Sequence, residues 1–311
     1  MDSDPVAFLE EAVPIESHES VEAMRDYLVE NVTGAATHES GCVVAEKGVG
    51  SDDTETVIFN THMDTVAPHL GYERDEGVVR GRGACDAKGP LAAMVSAYES
   101  FDAKESDITI RLVISPDEET LSRGLHEYLC AEGGKNIDFA VVGEPTSLDV
   151  CTAAKGRFEA TVEFVGESAH AASGDGKNAV SCASEAVRRL GSIKTTRDEL
   201  LGESRLTVTL FEGGEASNRV PESATITLDR RPLPHESAED FVTLVNETLD
   251  GIECDYEIRL AERPTPFLEA FRTDEDDAYV REFAEAVESV GDEPRVRAFE
   301  AATEASYLAQ H

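Results

Sequence analysis

The segment TVIFNTHMD, residues 56–64, combines an apolar, β-branched run with two metal-type ligands at its end. Such a run predicts a buried strand, and His62 and Asp64 follow directly after it. Residues two apart on an extended chain share a face, so one of the pair can bind a metal while the other orients the imidazole. Taken alone, the segment is better explained by a strand-end histidine beside a solvated aspartate.

Three further segments carry ligands of the same kind, and two of them also follow strand-like runs. They read GRGACDAKG (81–89), ISPDEET (114–120) and VVGEPT (141–146). Each has a plain structural explanation: a helix N-cap for Asp86, a capping turn for Glu118 and a surface loop for Glu144. One histidine and several carboxylates on four successive loops are nevertheless the ligand set that a pair of divalent ions needs. Together the four segments favour a two-metal hydrolase.

The position of each carboxylate indicates a separate role in such a site. Asp86 opens a helix after a glycine-rich loop, which suits a ligand that bridges two ions. Glu118 and Glu119 point in opposite directions on an extended chain, so Glu119 can bind metal while Glu118 acts as the general base. Pro145 keeps Glu144 extended behind its strand.

Strand and helix patterns alternate through the first 155 residues, which predicts an α/β domain with a mostly parallel sheet. Sites in such sheets form beyond the carboxyl ends of the strands. From residue 156 the pattern becomes β-α-β-β-α-β, the ferredoxin-like arrangement of a compact inserted domain. A helix and the strand-like VRAF then resume the first domain. We therefore predict a first domain of residues 1–155 and 263–311, and an inserted domain of residues 156–262. The predicted helices cover 4–31 with a break near Pro14, 89–101, 124–131, 178–190, 238–249 and 274–290.

The acidic amino-acid composition limits the kinds of molecule that the protein is expected to bind. The 311 residues carry 64 acidic against 27 basic side chains, a formal net charge of −37. Such a surface repels nucleic acid and anionic membranes, and it suits a protein hydrated in concentrated salt, so we expect a halophilic source. No stretch of about 18 apolar residues and no signal-peptide pattern occur. The six scattered cysteines form no CxxC pair, which favours reduced thiols in a cytoplasm.

The four segments, in this order, resemble the M20 family of zinc metallohydrolases, which includes acetylornithine deacetylase and succinyl-diaminopimelate desuccinylase. The similarity runs over nearly the whole chain, and it implies a catalytic first domain with two zinc ions, cobalt being an alternative. By this resemblance His62 and Glu144 hold one ion, and Asp86 bridges. Glu119 holds the second ion, and Glu118 is the base. The resemblance also implies a cis peptide bond directly after Asp86.

The inserted domain resembles the lid and dimerisation domain of the same family. In GESAHAASG (166–174), the resemblance implies that His170 reaches the partner subunit's site and stabilises the oxyanion. In SNRVPESATITLDRR (217–231), it implies that Asn218 and Arg231 bind the substrate carboxylate, for which a planar guanidinium is suited. Without the resemblance, His170 would be a loop histidine in solvent and Arg231 a strand arginine paired to an acid.

One part of the chain departs from the family pattern. The family's second-ion histidine lies beyond the segment that here reads FEAATEASYLAQH (299–311), and His311 does not match it. The resemblance therefore implies a C-terminally short chain, in which Asp86 and Glu119 are the only ligands left for the second ion.

The expected reaction is removal of an N-acyl group from an amino acid, by a homodimer joined through the lid domain. The segment GRGACDAKGPLAAM (81–94) resembles the acetylornithine deacetylase branch of arginine biosynthesis, and its relatives that release lysine or ornithine from an acidic carrier protein. A surface this acidic would repel such a carrier, which favours a small N-acyl amino acid as substrate. A succinyl-diaminopimelate desuccinylase, a dipeptidase and a non-catalytic dimeric relative remain alternatives.

Overall fold

The computed structural model describes residues 4–48, 54–104, 106–133, 137–291 and 293–311. The chain divides into two compact units. The first comprises Met1–Val150, Asp276–Arg295 and Thr303–His311, and the second comprises Cys151–Glu275 and Val296–Ala302. Among the described residues, every helix is too short or too polar to cross a lipid bilayer.

The elements are numbered in chain order. The strands are β1 (Ala36–Thr37), β2 (Val43–Lys47), β3 (Glu55–His62), β4 (Glu73–Asp75), β5 (Val78–Arg80), β6 (Ile108–Ser115), β7 (Phe139–Val142), β8 (Val150–Ala154), β9 (Phe158–Val165), β10 (Arg197–Asp198), β11 (Gly202–Glu203), β12 (Arg205–Gly213), β13 (Ser223–Arg231), β14 (Asp255–Leu260), β15 (Phe271–Arg272) and β16 (Val296–Phe299). The helices are α1 (Pro5–Ala12), α2 (Glu22–Asn31), α3 (Lys88–Ser100), α4 (Arg123–Tyr128), α5 (Ala179–Leu190), α6 (Ala238–Leu249), α7 (Ala278–Ser289) and α8 (Ala305–Leu308), and a π-helical turn (Leu129–Gly133) follows α4.

The first unit is built on a five-stranded sheet in the order β1-β2-β6-β3-β7. Strand β3 pairs in parallel with both β6 and β7, whereas β2 is antiparallel to β6 and to β1. Strand β2 is therefore antiparallel to the other four strands of this sheet. The prediction of a mostly parallel α/β domain is confirmed.

Helices α1, α2 and α3 contribute apolar side chains to the core of the first unit. Asp4 accepts a hydrogen bond from the Val6 amide and Pro5 occupies the first turn, so α1 begins where the sequence predicts. Leu28 of α2 and Leu91 of α3 are fully buried in one apolar cluster with residues of the sheet. This packing fixes α3, and with it the loop that precedes α3, against the strands.

The second unit contains the predicted β-α-β-β-α-β arrangement. Strands β9, β12, β13 and β14 form an antiparallel sheet in the order β12-β13-β9-β14, and α5 and α6 bury their apolar residues in the same core as the sheet. Strand β12 forms one edge, and most of its side chains are exposed, including Leu210 and Phe211. The ferredoxin-like fold class of the inserted domain is confirmed.

The last 49 residues are shared between the two units, whereas the sequence predicts that all of them belong to the first domain. Helix α7 belongs to the first unit, where Tyr279 stacks on Phe139. Strands β15 and β16 instead flank β8 in a three-stranded sheet, and their residues belong to the second unit. The sequence-based boundary at residue 263 does not coincide with this division, because β15 and β16 follow residue 263 and pair with the two edges of β8. The catalytic and lid roles of the two units remain predictions.

Two of the six cysteines are joined. Cys182 of α5 and Cys254, which precedes β14, form a disulfide whose Cα atoms lie 6.0 Å apart. The expectation of reduced thiols throughout is therefore wrong for this pair. The two buried cysteines meet because α5 packs on the sheet, although 72 residues separate them in the sequence. Cys42, Cys85, Cys130 and Cys151 are free.

Candidate metal centre

Three of the four predicted metal ligands lie at or just beyond strands that end at one edge of the first unit's sheet. His62 ends β3 and lies opposite Ser115, the last residue of β6. Asn60 lies opposite Val142, the last residue of β7. The segments that continue from these strands therefore leave the sheet side by side, which is why residues distant in the chain can meet there.

The loop before α3 is held by close contacts of small and buried groups. Gly83 adopts φ +83°, and a Cβ atom at this position would lie 2.9 Å from Cγ2 of Thr65. Lys88 is buried, and its ammonium donates to the carbonyl oxygens of Ala12 (3.0 Å) and Ile15. Burial lowers the pKa of Lys88 to about 8. These contacts fix the backbone directly beside Asp86, and the peptide bond after Asp86 is cis, as the resemblance implies.

His62, Asp86 and Glu144 meet at this edge. One ligand atom from each lies within 4.8 Å of the others, the only such group of three or more metal-type ligands in the described part of the chain. The imidazole of His62 is buried, with Nε2 at 3.2 Å from Oδ1 of Asp86. The structure thus brings together three of the four predicted metal ligands. Glu119 lies outside the close group.

Asp64 connects the histidine to the predicted base. Its Oδ1 lies 3.2 Å from Nδ1 of His62, as expected of a residue that orients the imidazole. The same carboxylate also accepts the backbone N–H of Glu118 (3.1 Å) and of Glu119 (3.0 Å). This second function was missed by the sequence analysis, since nothing in the pattern pairs residue 64 with residues 118 and 119.

The site concentrates negative charge on carboxylates that, apart from the exposed Asp86, are at least partly shielded from water. Burial, reinforced by neighbouring carboxylates, raises the pKa of Glu118 to about 7 and that of Glu144 to about 8. Burial and the charge of Asp86 also raise the pKa of Glu119. For His62, burial disfavours the charged ring, but hydrogen bonds with Asp64 and Asp86 outweigh it and raise the pKa well above its usual value.

These properties fit a divalent cation. A buried imidazole nitrogen that faces a carboxylate oxygen at 3.2 Å requires either a proton or a metal between them. One nitrogen and several oxygens form a donor set that suits zinc or cobalt. Bound cations would also offset the burial and the mutual repulsion that raise the pKa values of these carboxylates.

The second unit places its three predicted residues at two separate ends of one sheet. His170 and Asn218 are neighbours, because the Ala171 amide donates to the carbonyl oxygen of Asn218 at 2.9 Å. Arg231 ends β13, and its Nε donates to Asp229 at 2.7 Å. The run of β13 from residue 223 to residue 231 spans roughly 26 Å at the usual rise of a strand. One chain therefore does not bring Asn218 and Arg231 to the same point.

His170 is exposed and has a defined tautomer when neutral. Its Nδ1 accepts the backbone N–H of Ala172 at 3.2 Å. Because Nδ1 is then an acceptor, the ring proton of the neutral imidazole must reside on Nε2. The outward nitrogen of His170 is consequently a hydrogen-bond donor.

An α/β unit that gathers a histidine and carboxylates at its strand ends, together with a ferredoxin-like unit, defines a class of metal-dependent hydrolases. Residues 58–311 match the family described as Peptidase family M20/M25/M40. The match covers most of the chain, so the chain belongs to this family, and the predicted membership is confirmed.

Individual relatives agree with this assignment. The chain is 31% identical over 208 residues to acetylornithine deacetylase of Photorhabdus laumondii, covering 64% of this chain and 54% of that protein. It is 34% identical over 220 residues to a protein of Pyrobaculum aerophilum named putative [LysW]-lysine/[LysW]-ornithine hydrolase, covering 70% and 61% of the two chains. The chain thus spans less than two thirds of these curated relatives. Aminopeptidase PepT from Bacillus cereus has the same fold, with a TM-score of 0.82 at 19% identity over 100% of this chain and 88% of that one.

Proposed function

We propose that this chain carries the site of a metal-dependent amide hydrolase that removes an N-acyl group from an amino acid. The observation that carries the proposal is the meeting of His62, Asp86 and Glu144 beside a half-buried glutamate, Glu118. Family membership and relatives named as deacetylase and hydrolase support the same reaction class. Zinc is the proposed ion and cobalt the alternative.

Each carboxylate would have a defined task. His62, Asp86 and Glu144 would hold one ion, and Asp86 with Glu119 would hold a second. Bound divalent ions lower the pKa of a water toward about 7 and polarise an acyl carbonyl. Glu118 would take a proton from the attacking water and return it to the leaving amine.

The second unit would complete the site in a homodimer. His170 presents Nε2–H outward, which is the donor that a developing oxyanion needs. Asn218 stands beside His170, and Arg231 stands at the far end of β13. Because one chain cannot bring the two ends of β13 to one point, we infer that a site takes His170 and Asn218 from one copy and Arg231 from the other, with Arg231 binding the substrate carboxylate. The exposed edge of β12 is the surface through which two copies would join.

The proposed substrate rests on the named relatives and on the net charge of the chain. One relative is named for N-acetylornithine and another for lysine or ornithine joined to LysW. A net charge of −37 disfavours approach of an acidic carrier, so we propose a small acetylated amino acid of the ornithine type, acting in arginine biosynthesis within the cytoplasm. Concentrated salt would weaken this discrimination, because charges are then screened within about 3 Å at 1 M.

The proposal is tested by hydrolysis assays in concentrated salt with zinc or cobalt. N-acetylornithine is compared with N-succinyl-diaminopimelate and with a dipeptide. Faster cleavage of N-acetylornithine supports the proposed substrate, and faster cleavage of another compound replaces it. A stable dimer that binds metal but cleaves none of them supports the non-catalytic alternative.

The base is tested by Glu118→Gln. This change removes proton transfer but keeps the shape of the side chain, so turnover should fall by about 10²–10⁴-fold while metal content is unchanged. Glu127→Gln, at a partly exposed position of α4, is the matched control and should retain full turnover. Full turnover in Glu118→Gln would refute the assignment of Glu118 as the base.

A further inference from the structure

Glu304 has a buried carboxyl group that contacts the two strands leading to His62 and Glu118. It directly precedes α8 and is only 1% exposed. Its Oε2 lies 2.5 Å from Oγ of Ser115, the last residue of β6, and accepts from Nδ2 of Asn60 of β3 at 3.4 Å. The C-terminal segment therefore places one acid across the ends of two neighbouring strands.

The hydrogen bonds of Ser115 determine where a proton is needed. Its single hydroxyl proton faces two acceptors, because Oγ also lies 3.3 Å from the carbonyl oxygen of Thr61. A carbonyl oxygen can only accept, whereas a protonated carboxyl group can donate. If Glu304 carries a proton, it donates to Ser115 and Ser115 donates to Thr61, so that both contacts are satisfied.

The second oxygen of Glu304 gives an independent reason for the same state. Oε1 is buried and has no hydrogen-bond partner among the described residues, and the same is true of Oδ1 of Asn60. An ionised carboxylate with one oxygen lacking a donor is a costly group to bury. A neutral acid leaves a far less polar atom in that place.

The charged groups around Glu304 do not compensate an ionised carboxylate. Burial raises the pKa of Glu304 well above its ordinary value, and the negative charges of Glu118 and Asp64 add to this, against the opposing effects of Ser115 and His62. Toward β2, the thiol of Cys42 also interacts with Glu304, and burial is the main reason that the Cys42 pKa is raised to about 12. The attraction of His62 favours the ionised form of Glu304, but burial and the neighbouring carboxylates outweigh it.

We propose that Glu304 is a positioning residue that acts as a neutral carboxylic acid, joining the ends of β3 and β6 and thereby setting the spacing between His62 and the Glu118–Glu119 segment. Asn60 lies two residues before His62, and Ser115 lies three residues before Glu118. Since β3 and β6 pair in parallel up to His62 and Ser115, a shift at either contact of Glu304 moves a metal ligand or the base. This inference rests on the proposed metal site, but it requires no particular substrate.

The protonation state is measured by infrared spectroscopy of the metal-free protein at pH 7. The spectrum of the native chain minus that of Glu304→Gln should contain the C=O band of a protonated carboxylic acid. Glu285→Gln, at an exposed position of α7, should give only the bands of an ionised carboxylate in the same subtraction. Carboxylate bands alone for Glu304 would overturn the proposal.

The positioning role is measured by cobalt binding. Glu304→Gln is neutral and keeps a donor for Ser115, so it should bind Co²⁺ like the native chain and show the same visible absorption of the bound ion. Glu304→Leu cannot join the strands, and its Co²⁺ affinity should fall by about 10–100-fold, the usual effect of removing a supporting contact of a metal site. Equal weakening in both variants, or native binding in Glu304→Leu, would overturn the proposal. Should Glu304→Leu not fold, the infrared band and Glu304→Gln decide.

None of these measurements uses a substrate. A chain that cleaves no N-acyl amino acid but passes both tests would refute the proposed function and leave the role of Glu304 intact. A chain that cleaves N-acetylornithine but shows an ionised Glu304 would do the reverse.

Discussion

At the scale of single residues, Asp64 has the most connections in the candidate site. It contacts the imidazole of His62 and accepts two backbone N–H groups from the segment that carries Glu118 and Glu119. One carboxylate thereby sets the orientation of a predicted metal ligand on β3 relative to the proposed base that follows β6. Such supporting contacts commonly matter as much for metal affinity as the ligands themselves.

Replacing Asp64 should therefore weaken metal binding. In Asp64→Ala, the His62 ring loses its orienting partner and two amides are left without an acceptor, so zinc affinity should fall by about 10–100-fold. Competition with a chromophoric chelator measures this change. Asp26→Ala on the exposed face of α2 is the control and should bind zinc as the native chain does. Unchanged affinity in Asp64→Ala would show that the contacts to Asp64 are incidental.

The raised pKa of Glu144 predicts how the metal-free protein responds to pH. Burial raises this pKa from 4.5 to about 8, so the folded chain retains a proton that the unfolded chain releases. Stability must then fall as pH rises through this window, by up to about 1.4 kcal/mol per pH unit for one proton. Urea unfolding of the native chain and of Glu144→Gln, between pH 5 and pH 8, isolates the effect of Glu144.

The native chain should lose stability relative to Glu144→Gln across that range, and saturating zinc should remove the loss because the cation replaces the proton. Parallel curves for the two proteins would contradict the prediction. A stability difference that grows in the opposite direction would mean that Glu144 is ionised in the metal-free fold.

Part of the candidate metal site can be predicted from the sequence. His62 and Glu144 directly follow apolar strands, and parallel strands end at one edge of a sheet, so their approach to Asp86 can be predicted. Glu304 cannot be recognised in this way. It meets Asn60 and Ser115 across 244 and 189 residues, and that contact depends on the path by which the chain returns to the first unit.

At the scale of elements, β13 illustrates how alternation separates two neighbouring arginines. Arg231 lies on the partly exposed face of the sheet, whereas Arg230 is buried at 4% exposure on the other. Arg230 forms a bidentate salt bridge with Glu236, in which both N–O distances are 2.6 Å. Glu236 precedes α6, so the pair connects the end of β13 to the start of that helix.

Breaking this pair should destabilise the second unit. Glu236→Ala leaves a buried guanidinium without its counter-charge, which costs about 3–5 kcal/mol in comparable cases. Chemical unfolding followed by circular dichroism measures the loss. Glu247→Ala on the exposed face of α6 should change stability by no more than about 0.5 kcal/mol. A similar small effect of Glu236→Ala would mean that water readily reaches Arg230.

Local patterns predict individual elements better than they predict which sheet a strand joins. The helix expected over 238–249 occurs as Ala238–Leu249, because a capping box at Ser237 marks its start. The strand expected at 296–299 also forms, but it joins the sheet of β8 in the second unit. A segment as short as Val296–Phe299 can predict a strand, but it carries no information on which sheet edge accepts that strand.

At the scale of the whole molecule, net charge dominates the response to solution conditions. A chain at −37 repels itself, and this repulsion opposes the compact state. Raising salt from about 0.1 M to about 1 M shortens the screening distance from about 10 Å to about 3 Å. The midpoint of thermal unfolding should therefore rise steeply over this range, as a halophilic origin would require.

Potassium chloride and sodium chloride should raise the midpoint equally, because screening depends on ionic strength. A rise that occurs with sulfate alone would indicate exclusion of the salt from apolar surface instead. A midpoint that does not change with either chloride would contradict the proposed role of repulsion.

The distance between His170 and Arg231 along one sheet has a genetic consequence. If a partner copy supplies His170 while each chain uses its own Arg231, two inactive variants should complement each other. A mixed dimer of His170→Ala and Arg231→Ala chains contains one site with both side chains intact, so random mixing should restore about a quarter of native turnover. If both residues serve the site of their own chain, no mixed dimer is intact and co-expression restores nothing.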